Sequence, residues 1–415
     1  MEILLSKQCV FVDGKKNGAI YDLKNNKIFQ LNNAGKKSII KFYKKEELTE
    51  KEKCFISDLI NKEIIDESEK IVQIKKTYFK RPKNEIKFAW LELTDKCNLK
   101  CIHCYGNFGY CENKLNYLNL EEWKKVIDQL SNIGCKRVQL IGGEPLCNNN
   151  ICPIIDYLYT KGIESITIFT NATLILNNKN IKEQIKKYNI NVKFSLYGPN
   201  EEIHERITKV KGSFNNTISS IDYLKKENIN VGVAIIIMKE NEKYLEQTKE
   251  FVESKLHLKY SGYDIIRPSY INDNIEHRIT DSRLLTKRYY TEPRFNISKY
   301  KFIMNHFYNA CWNSKIAITA DGDILPCIFA RNFVIGNVRK NNIEELMDKV
   351  NKIDSITKNE INECKDCEFR YACSDCRPIA IGINGSKYSK YPRCCYNPKE
   401  GIWDKVENIS NEFIK

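Results

Sequence analysis

The stretch Thr94-Asp95-Lys96-Cys97-Asn98-Leu99-Lys100-Cys101-Ile102-His103-Cys104-Tyr105 decides the fold of this chain. It directly follows an apolar run, residues 88–93, that has the length and composition of a buried β-strand. Its cysteines are spaced Cys-x3-Cys-x2-Cys. Thiolates are soft ligands, and three from one tight loop can hold three irons of a cubane and leave the fourth iron without a protein ligand. On the triplet alone, a zinc site lacking one ligand and a chance cluster of cysteines are the alternatives.

Around this loop, residues 86–268 alternate strand-like and helix-like runs. Six strands alternating with helices predict parallel βαβ units and an open or barrel-like α/β sheet. In barrels of this kind the chemistry sits on the loops that follow the strands, so those loops are the ones to inspect. The predicted strands are 88–93, 137–141, 165–170, 192–196, 231–238 and 260–266, and the predicted helices are 120–133, 151–161, 181–188, 214–227 and 244–255.

The second predicted strand ends in Gly142-Gly143-Glu144-Pro145. Two glycines let a backbone edge approach a ligand closely, and the carboxylate of Glu144 accepts hydrogen bonds only, so it can take an ammonium group. With this segment and the cysteine loop together, the sequence resembles the radical S-adenosylmethionine (SAM) superfamily. His103 stands where that family has an aromatic residue or His before the last cysteine.

The resemblance implies a cluster held by Cys97, Cys101 and Cys104, and a Gly-Gly-Glu-Pro segment that holds the methionyl amino group. It implies reductive cleavage of the sulfonium to a 5′-deoxyadenosyl radical, which a barrel would shield from stray donors. No protein acid or base is predicted. The alternative to cofactor binding is a purely structural role, in which Ser195 is a hydroxyl at the end of a strand and Arg206 is a solvated charge on a helix. The implied cofactor-binding residues are His103, Gly142, Gly143, Glu144, Pro145, Thr170, Asn171, Ser195 and Arg206.

A second cysteine pattern occupies the C-terminal region, and zinc knuckles are its alternative explanation. It comprises Cys311, Cys327, Cys364, Cys367, Cys373, Cys376, Cys394 and Cys395. The order resembles the SPASM extension of radical SAM enzymes, which implies two auxiliary clusters and three [4Fe–4S] clusters in all. The outer cluster would use Cys364, Cys367, Cys373 and either Cys394 or Cys395, and the inner one Cys311, Cys327 and Cys376. With three thiolates, the inner cluster would have a site open to a substrate sulfur or to a fourth protein ligand.

Two positions depart from that pattern. Cys373 and Cys376 are separated by two residues where three are usual, which weakens the assignment of Cys376. Relatives that oxidise a sulfatase Ser or Cys carry Asp directly after the cysteine that matches Cys327, and this chain has Ile328. Formylglycine formation is therefore the runner-up.

The front of the chain predicts a small β-then-α module, with strands at 10–12, 19–22 and 27–31 and helices at 34–42 and 51–62. It resembles the peptide-recognition element of ribosomal-peptide maturases. An exposed edge strand beside a helical groove can accept an extended leader peptide as an added strand. A structural cap and a winged-helix DNA binder are the alternatives.

Composition narrows the class of protein. The 415 residues are 42% hydrophobic and 29% charged, as in a globular chain, and include 17 cysteines. The longest apolar run, 231–238, is far shorter than the roughly 20 residues that span a bilayer, and the N-terminus lacks a signal pattern, so a cytoplasmic protein without disulfides is expected. The net charge of +14 comes from Lys spread along the whole chain without an Arg cluster, which argues against nucleic acid.

The expected fold is α/β: a partial (β/α)6 TIM-like barrel, with a winged-helix-like β+α module before it and an irregular iron–sulfur domain after it. The predicted domains are a leader-binding module, 1–74, a linker, 75–85, the barrel, 86–300, and the SPASM domain, 301–415. The expected activity is radical modification of a precursor peptide, most simply a thioether link, with flavodoxin or ferredoxin as electron donor. The alternative activities are a carbon–carbon link, an excision or an oxidation to formylglycine. The alternative without enzyme activity is a zinc-rich nucleic-acid binder.

Overall fold

The structure is a computed structural model that describes residues 1–68, 71–74, 78–81, 83, 85–109, 116–267, 274–280, 284, 297–374, 376–392 and 394–403. These residues form a five-stranded sheet at the front, a nine-stranded central sheet and a two-stranded hairpin near the end. No helix within the described ranges is both long and apolar enough to cross a bilayer. The predicted linker, 75–85, lies partly outside the described residues.

The front sheet is antiparallel throughout, in the strand order β4-β3-β2-β1-β5. The alternating runs predicted its three longest strands, whereas the three-residue β1 and the two-residue β5 are too short to give a periodic signal. A hairpin turn joins β3 to β4, with Asn26 in the left-handed region (φ 56°). The strands are β1 Glu2–Leu4, β2 Cys9–Asp13, β3 Gly18–Asp22, β4 Lys27–Leu31 and β5 Val72–Gln73.

Two helices, α1 Asn33–Lys44 and α2 Glu50–Asn61, pack on one face of the front sheet. Both begin at capping residues: the Asn32 side chain accepts from Gly35 N, and Thr49 forms a reciprocal capping box with Glu52. Their apolar stripes meet the sheet in a core that includes Ile20, Ile39 and Ile56. The β-then-α order predicted for this module is confirmed.

The central sheet contains the six predicted parallel strands, and each follows the one before it in the sheet. Their inward positions carry Val, Ile and Leu because both faces of a parallel sheet are covered. The strands are β6 Phe88–Glu92, β7 Arg137–Ile141, β8 Ser165–Thr170, β9 Asn191–Leu196, β10 Val231–Ile237 and β11 Tyr263–Ile265. The helices between them are α3 Leu120–Asn132, α4 Ile151–Thr160, α5 Lys179–Lys187, α6 Glu201–Thr208, α7 Ser213–Lys226 and α8 Leu245–Glu250, the last continued by a π-helical turn, Phe251–Lys255.

The C-terminal region extends this sheet, which the sequence did not predict. Strand β12, Lys315–Ile318, pairs in parallel with β6 on the side opposite β7. Two further strands, β13 Asp323–Leu325 and β14 Gly336–Asn337, add antiparallel to it. The first barrel strand is therefore an interior strand, and the loop that leaves it lies between the barrel and the C-terminal region.

The rest of the C-terminal region packs against the front sheet. Tyr21 in β3 donates to the carbonyl of Glu368 (2.8 Å), and the buried guanidinium of Arg370 pairs with Glu2 in β1. Phe302 and Tyr371 fill the apolar core between the two parts. The remaining elements are α9 Lys299–Phe307, α10 Met347–Asp354, α11 Arg377–Asn384, β15 Tyr396–Asn397 and β16 Ile402–Trp403.

Candidate active site

A cavity of about 640 Å³ lies inside the central sheet and reaches the ends of its strands. The loops that follow the barrel strands and the loop after β13 both contribute to its walls. The wall residues include Cys97, Cys101 and Cys104 from the first barrel loop and Ile328 and Phe329 from the loop after β13. The two groups lie close together, because the Phe329 ring is 4.9 Å from the ring of Tyr105, the residue after Cys104.

The cysteine loop is fixed by backbone contacts with the end of α6. Lys100 N donates to Thr208 O (2.9 Å), and Ile102 N donates to Ile207 O (3.1 Å). On its other side, the Asn98 amide donates to Thr173 Oγ1 (2.7 Å) in the loop after β8. The loop is thus held by two different βα units, and its thiols face the cavity between them.

The three thiols interact strongly with one another. Burial raises the pKa of Cys97 to about 12, and burial followed by the charges of Cys104 and Cys97 raises the pKa of Cys101. Three thiols on one wall of the cavity suit a cationic, thiophilic cluster, whose binding removes the repulsion between their thiolates. None of the 16 described cysteines forms a disulfide, and across the described ranges no three His, Cys, Asp or Glu side chains converge to hold a single metal ion.

The two glycines after β7 allow the backbone to approach the cysteine loop closely. A Cβ on Gly142 would lie 2.5 Å from Thr94 O, and one on Gly143 would lie 2.4 Å from Lys96 O. In place of that clash, Gly143 N donates to Thr94 O (2.8 Å). The glycines therefore join the first and second barrel loops, and both line the cavity.

Glu144 is buried, and its carboxylate accepts three hydrogen bonds from protein groups. Thr170 Oγ1 donates to Oε1 (2.6 Å), Asn171 N to Oε2 (2.8 Å) and Leu146 N to Oε1 (3.1 Å). Burial raises the pKa of Glu144 to about 7 against the effect of these donors. The carboxylate ties the end of β7 to the end of β8. Its contact with the ammonium group of the cofactor stays a prediction.

The other predicted cofactor-binding residues divide into two sets. His103, Thr170, Asn171 and Ser195 line the cavity together with the two glycines. The His103 ring lies 4.8 Å from the ring of Tyr197, and its Nδ1 is buried without a partner among the described residues. Pro145 is buried in the short helix after Glu144, and Arg206 pairs with Glu202 (2.6 Å) on the partly exposed face of α6; neither lines the cavity.

The C-terminal cysteines also form two sets. In the first, Cys311 hydrogen-bonds to Cys376, which lowers the pKa of Cys376 against burial, and the charge of Arg267 lowers it further. Cys327 is buried close enough to feel the charge of Cys376. These are the three residues predicted for the inner cluster.

The second set lies against the front sheet. Burial, the charge of Glu368, and then the charges of Cys394 and Cys373 raise the pKa of Cys367. Cys394 and Cys364 both act on Lys390, whose ammonium pairs with Glu363 (2.8 Å). Of the final pair, Cys394 thus stands beside the outer thiols, and Cys395 is 2% exposed in the core.

Several cavity residues were missed from the sequence. Lys193 in β9 and Asp264 in β11 line the cavity, and so does Arg267 just after β11. The pair of Arg331 and buried Glu92 lies beside it, with the guanidinium 5.5 Å from the Tyr105 ring. One sequence pattern could have identified these charged cavity residues: a charged residue between two apolar residues of a strand, such as Lys193 between Val192 and Phe194.

Comparison with known proteins identifies the barrel. Residues 91–252 match the family model of the radical SAM superfamily. The chain belongs to this superfamily. Residues 311–368 of the radical SAM enzyme match the SPASM model, an iron–sulfur cluster-binding domain. Both family resemblances deduced from the cysteine spacings are confirmed.

Curated relatives of the radical SAM enzyme differ in their activities. The antilisterial bacteriocin subtilosin biosynthesis protein AlbA of Bacillus subtilis is 28% identical over 342 residues, 77% of this chain and 73% of AlbA. The AdoMet-dependent heme synthase of Methanosarcina barkeri is 25% identical over 341 residues, 75% of this chain and 96% of the synthase. The radical SAM enzyme is thus related to proteins that act on different substrates.

Solved structures share the whole fold. Streptococcus suis SuiB bound to S-adenosylmethionine superposes with a TM-score of 0.58 at 16% identity, covering 97% of this chain and 99% of SuiB. SuiB bound to precursor peptide SuiA gives 0.56 at 16% identity, covering 98% and 99%. The chain is therefore a radical SAM/SPASM enzyme with a partial TIM-like barrel, and it uses [4Fe–4S] clusters and S-adenosylmethionine.

Proposed function

We propose that this enzyme modifies a ribosomally made, cysteine-containing precursor peptide by joining the cysteine sulfur to a carbon of another residue. Cluster and S-adenosylmethionine together supply the 5′-deoxyadenosyl radical that removes hydrogen from that carbon. The cysteine loop would ligate the radical cluster, and the cavity residues His103, Gly142, Gly143, Thr170, Asn171 and Ser195 would contact the cofactor. Glu144, Pro145 and Arg206 complete the predicted cofactor set, although none of the three lines the cavity. The inner auxiliary cluster is held by Cys311, Cys327 and Cys376, and the outer one by Cys364, Cys367, Cys373 and Cys394.

One observation carries the thioether proposal. The same cavity is lined by Cys97, Cys101 and Cys104 and by Ile328, Phe329 and Arg267. Ile328 directly follows Cys327, and Arg267 lies beside Cys376. A carbon activated beside the cysteine loop and a sulfur bound near the inner thiols would meet within this cavity.

The front sheet supports a peptide substrate. In the described part of the chain β4 pairs only with β3, so its outer edge is open for an added strand. Its Phe29 side chain is 42% exposed. AlbA is named for bacteriocin biosynthesis and SuiB was solved with a precursor peptide. Heme synthases match a similar share of the chain, so the substrate proposal rests on β4 and the auxiliary thiols.

The electron donor in this proposal is an acidic flavodoxin or ferredoxin. Lys96 and Lys100 are exposed on the cysteine loop, and the contact between Lys100 N and Thr208 O puts Lys100 next to exposed Lys209. These cations lie above the loop that the electron must reach, and an anionic donor would be steered to them. Reduction by such a donor should slow steeply as salt is added, which stopped-flow absorbance measures.

The test begins with the radical. Anaerobic protein reconstituted with iron and sulfide should release 5′-deoxyadenosine from S-adenosylmethionine when given dithionite. Replacement of Cys97, Cys101 and Cys104 by Ala should abolish this release. Equal release by the triple variant would end the proposal.

The test continues with a cysteine-containing peptide encoded beside the gene. Joining R–H to HS–R′ as R–S–R′ removes two hydrogens: one leaves with 5′-deoxyadenosine, and the other leaves as a proton and an electron. Mass spectrometry should show the loss of two hydrogens together with one cysteine that no longer reacts with iodoacetamide. The same mass loss with every cysteine still alkylated would replace the thioether by a carbon–carbon link or an oxidation. A charge-neutral change on the β4 edge, Phe29→Pro, should raise the KM for full-length precursor and leave uncoupled 5′-deoxyadenosine release unchanged.

A further inference from the structure

Arg267 is a partly buried cation, with 23% of its side chain exposed, at the boundary between the cavity and the inner thiols. It follows β11 and lines the cavity. Its guanidinium pairs with Asp264 (2.7 Å) and lies 4.5 Å from the centre of the Phe329 ring. Its Nε is buried and has no partner among the described residues. A cation is costly to bury, so this position needs a compensating function or an anionic neighbour.

Besides Asp264, the anionic neighbours of Arg267 are sulfur atoms. Arg267 is placed to hydrogen-bond Cys376, and its charge also reaches Cys327. Phe329, which stacks on the guanidinium, is two residues after Cys327. Asp264 holds one side of the guanidinium and leaves the rest of it for the sulfurs and the cavity. Two of the three inner cysteines therefore share one cation.

Such a cation changes the redox behaviour of a cluster. The potential of an iron–sulfur cluster depends on its net charge and on hydrogen bonds to its sulfurs, and neighbouring groups can tune it strongly. A positive charge at the thiolates stabilises the reduced form, which carries one more negative charge. We propose that Arg267, held by Asp264, is a positioning residue that raises the reduction potential of the auxiliary cluster ligated by Cys311, Cys327 and Cys376.

This tuning gives the proposed reaction an electron acceptor, and in this respect it rests on the proposed function. When a carbon radical and a thiolate form a C–S bond, one electron must leave, and the thiol proton goes to solvent. A cluster held by Cys311, Cys327 and Cys376 would supply a one-electron acceptor for it beside the cavity. Arg267 makes the transfer favourable by stabilising the product of that reduction.

The experiment is an EPR-monitored potentiometric titration without peptide. Cys97, Cys101 and Cys104 are replaced by Ala in every sample so that the auxiliary clusters alone contribute, and Cys327→Ala identifies the inner signal. At a fixed potential, Arg267→Met should lower the ratio of reduced to oxidised inner cluster at least tenfold, which is about 59 mV for a one-electron couple. Arg267→Lys should give a smaller decrease. Asp264→Asn removes the compensating negative charge and should shift the ratio in the opposite direction.

Arg339→Met is the matched control, because this guanidinium pairs with Glu122 at the surface (2.6 Å). It should leave both auxiliary signals unchanged. An unshifted inner signal in Arg267→Met, or a shift of Arg267→Met and Asp264→Asn in the same direction, would overturn the proposal. If Arg267→Met fails to assemble the inner cluster, Asp264→Asn decides alone: an upward shift supports the proposal, and any other result rejects it. The titration contains no peptide, so it tests the tuning independently of the peptide reaction. If the potentials shift as expected and the separate mass-spectrometry assay finds an unmodified precursor, the thioether function is rejected and the tuning stands.

Discussion

The ion pair between Glu2 and Arg370 should stabilise the contact between the front sheet and the C-terminal region. Arg370 is 3% exposed and Glu2 is 16% exposed, and Arg370 also donates to Asp13 O (2.8 Å) and Cys367 O (2.9 Å). Removing one partner of a buried pair leaves an uncompensated charge, which costs about 3–5 kcal/mol. Glu2→Ala should therefore lower the free energy of unfolding by about that amount.

Urea denaturation of the anaerobic, cluster-loaded protein measures this loss. The double variant, Glu2→Ala with Arg370→Met, should lose less unfolding free energy than the two single variants lose together, because it no longer contains an unpaired buried charge. Glu183→Ala, in an exposed pair with Lys179 (3.8 Å), should stay within about 0.5 kcal/mol of the parent. Additive losses, or a Glu2→Ala protein as stable as the Glu183→Ala control, would refute the reasoning.

The same pair predicts a pH dependence. Burial raises the pKa of Glu2, but the charge and hydrogen bond of Arg370, together with the N-terminal charge and Tyr371, outweigh it and lower the pKa from its usual 4.5. A carboxyl whose pKa is lowered by folding stabilises the protein when the pH is above its pKa in the unfolded state. This stabilisation is lost as the pH falls through its pKa in the folded state. The gap in unfolding free energy between the parent and Glu2→Ala should therefore narrow below about pH 4.5, and a gap that widened there would contradict this assignment.

Three further changes test the site itself. Gly143→Ala puts a Cβ 2.4 Å from a backbone oxygen of the cysteine loop and should cost at least about 1–3 kcal/mol and most of the 5′-deoxyadenosine release, as chromatography of the quenched reaction would show. Cys394→Ala should lower the iron content by one cluster and Cys395→Ala should not, which colorimetric iron analysis checks. Burial raises the pKa of Glu144 to about 7. The protonated carboxyl therefore contributes its full stabilisation when the pH is below its pKa in the unfolded state, and this stabilisation is lost as the pH rises through 7. Relative to Glu144→Gln, the parent should be more resistant to urea at about pH 5.5 than at about pH 8, and equal differences at the two values would argue against a neutral buried acid.

The barrel was predictable because its strands carry a strong local signal. Runs such as 137–141 and 165–170 matched the structure to the residue, since their buried apolar residues alternate with less buried ones and polar loops bound both runs. The thiol sets were predictable because ligand spacing is written in the sequence. The choice of Cys394 beside Cys367 was not, because both members of an adjacent pair fit the spacing equally well.

What the sequence could not provide depends on long-range contacts. Strand β12 has four residues in a region dominated by cysteines, and its partner β6 is far away in the chain. Arg267 had no motif: its position matters only because the fold brings the end of β11 to Cys376. The α6 helix around Arg206 was not among the predicted helices, although one alternative placed Arg206 on a helix, because its eight residues give little more than two turns of periodicity.

The position of β6 between β7 and β12 has a consequence for biosynthesis. During translation, β6 to β11 emerge well before residues 315–318, so the edge of β6 stays uncovered until late. Pairing across such a separation is slow, and an uncovered strand edge is prone to join other chains. The loop at residues 97–104 directly follows β6, which at that stage is paired on one side only. We expect iron delivered before the ribosome has passed residue 318 to meet a mobile loop, so cluster assembly should follow chain completion rather than accompany it.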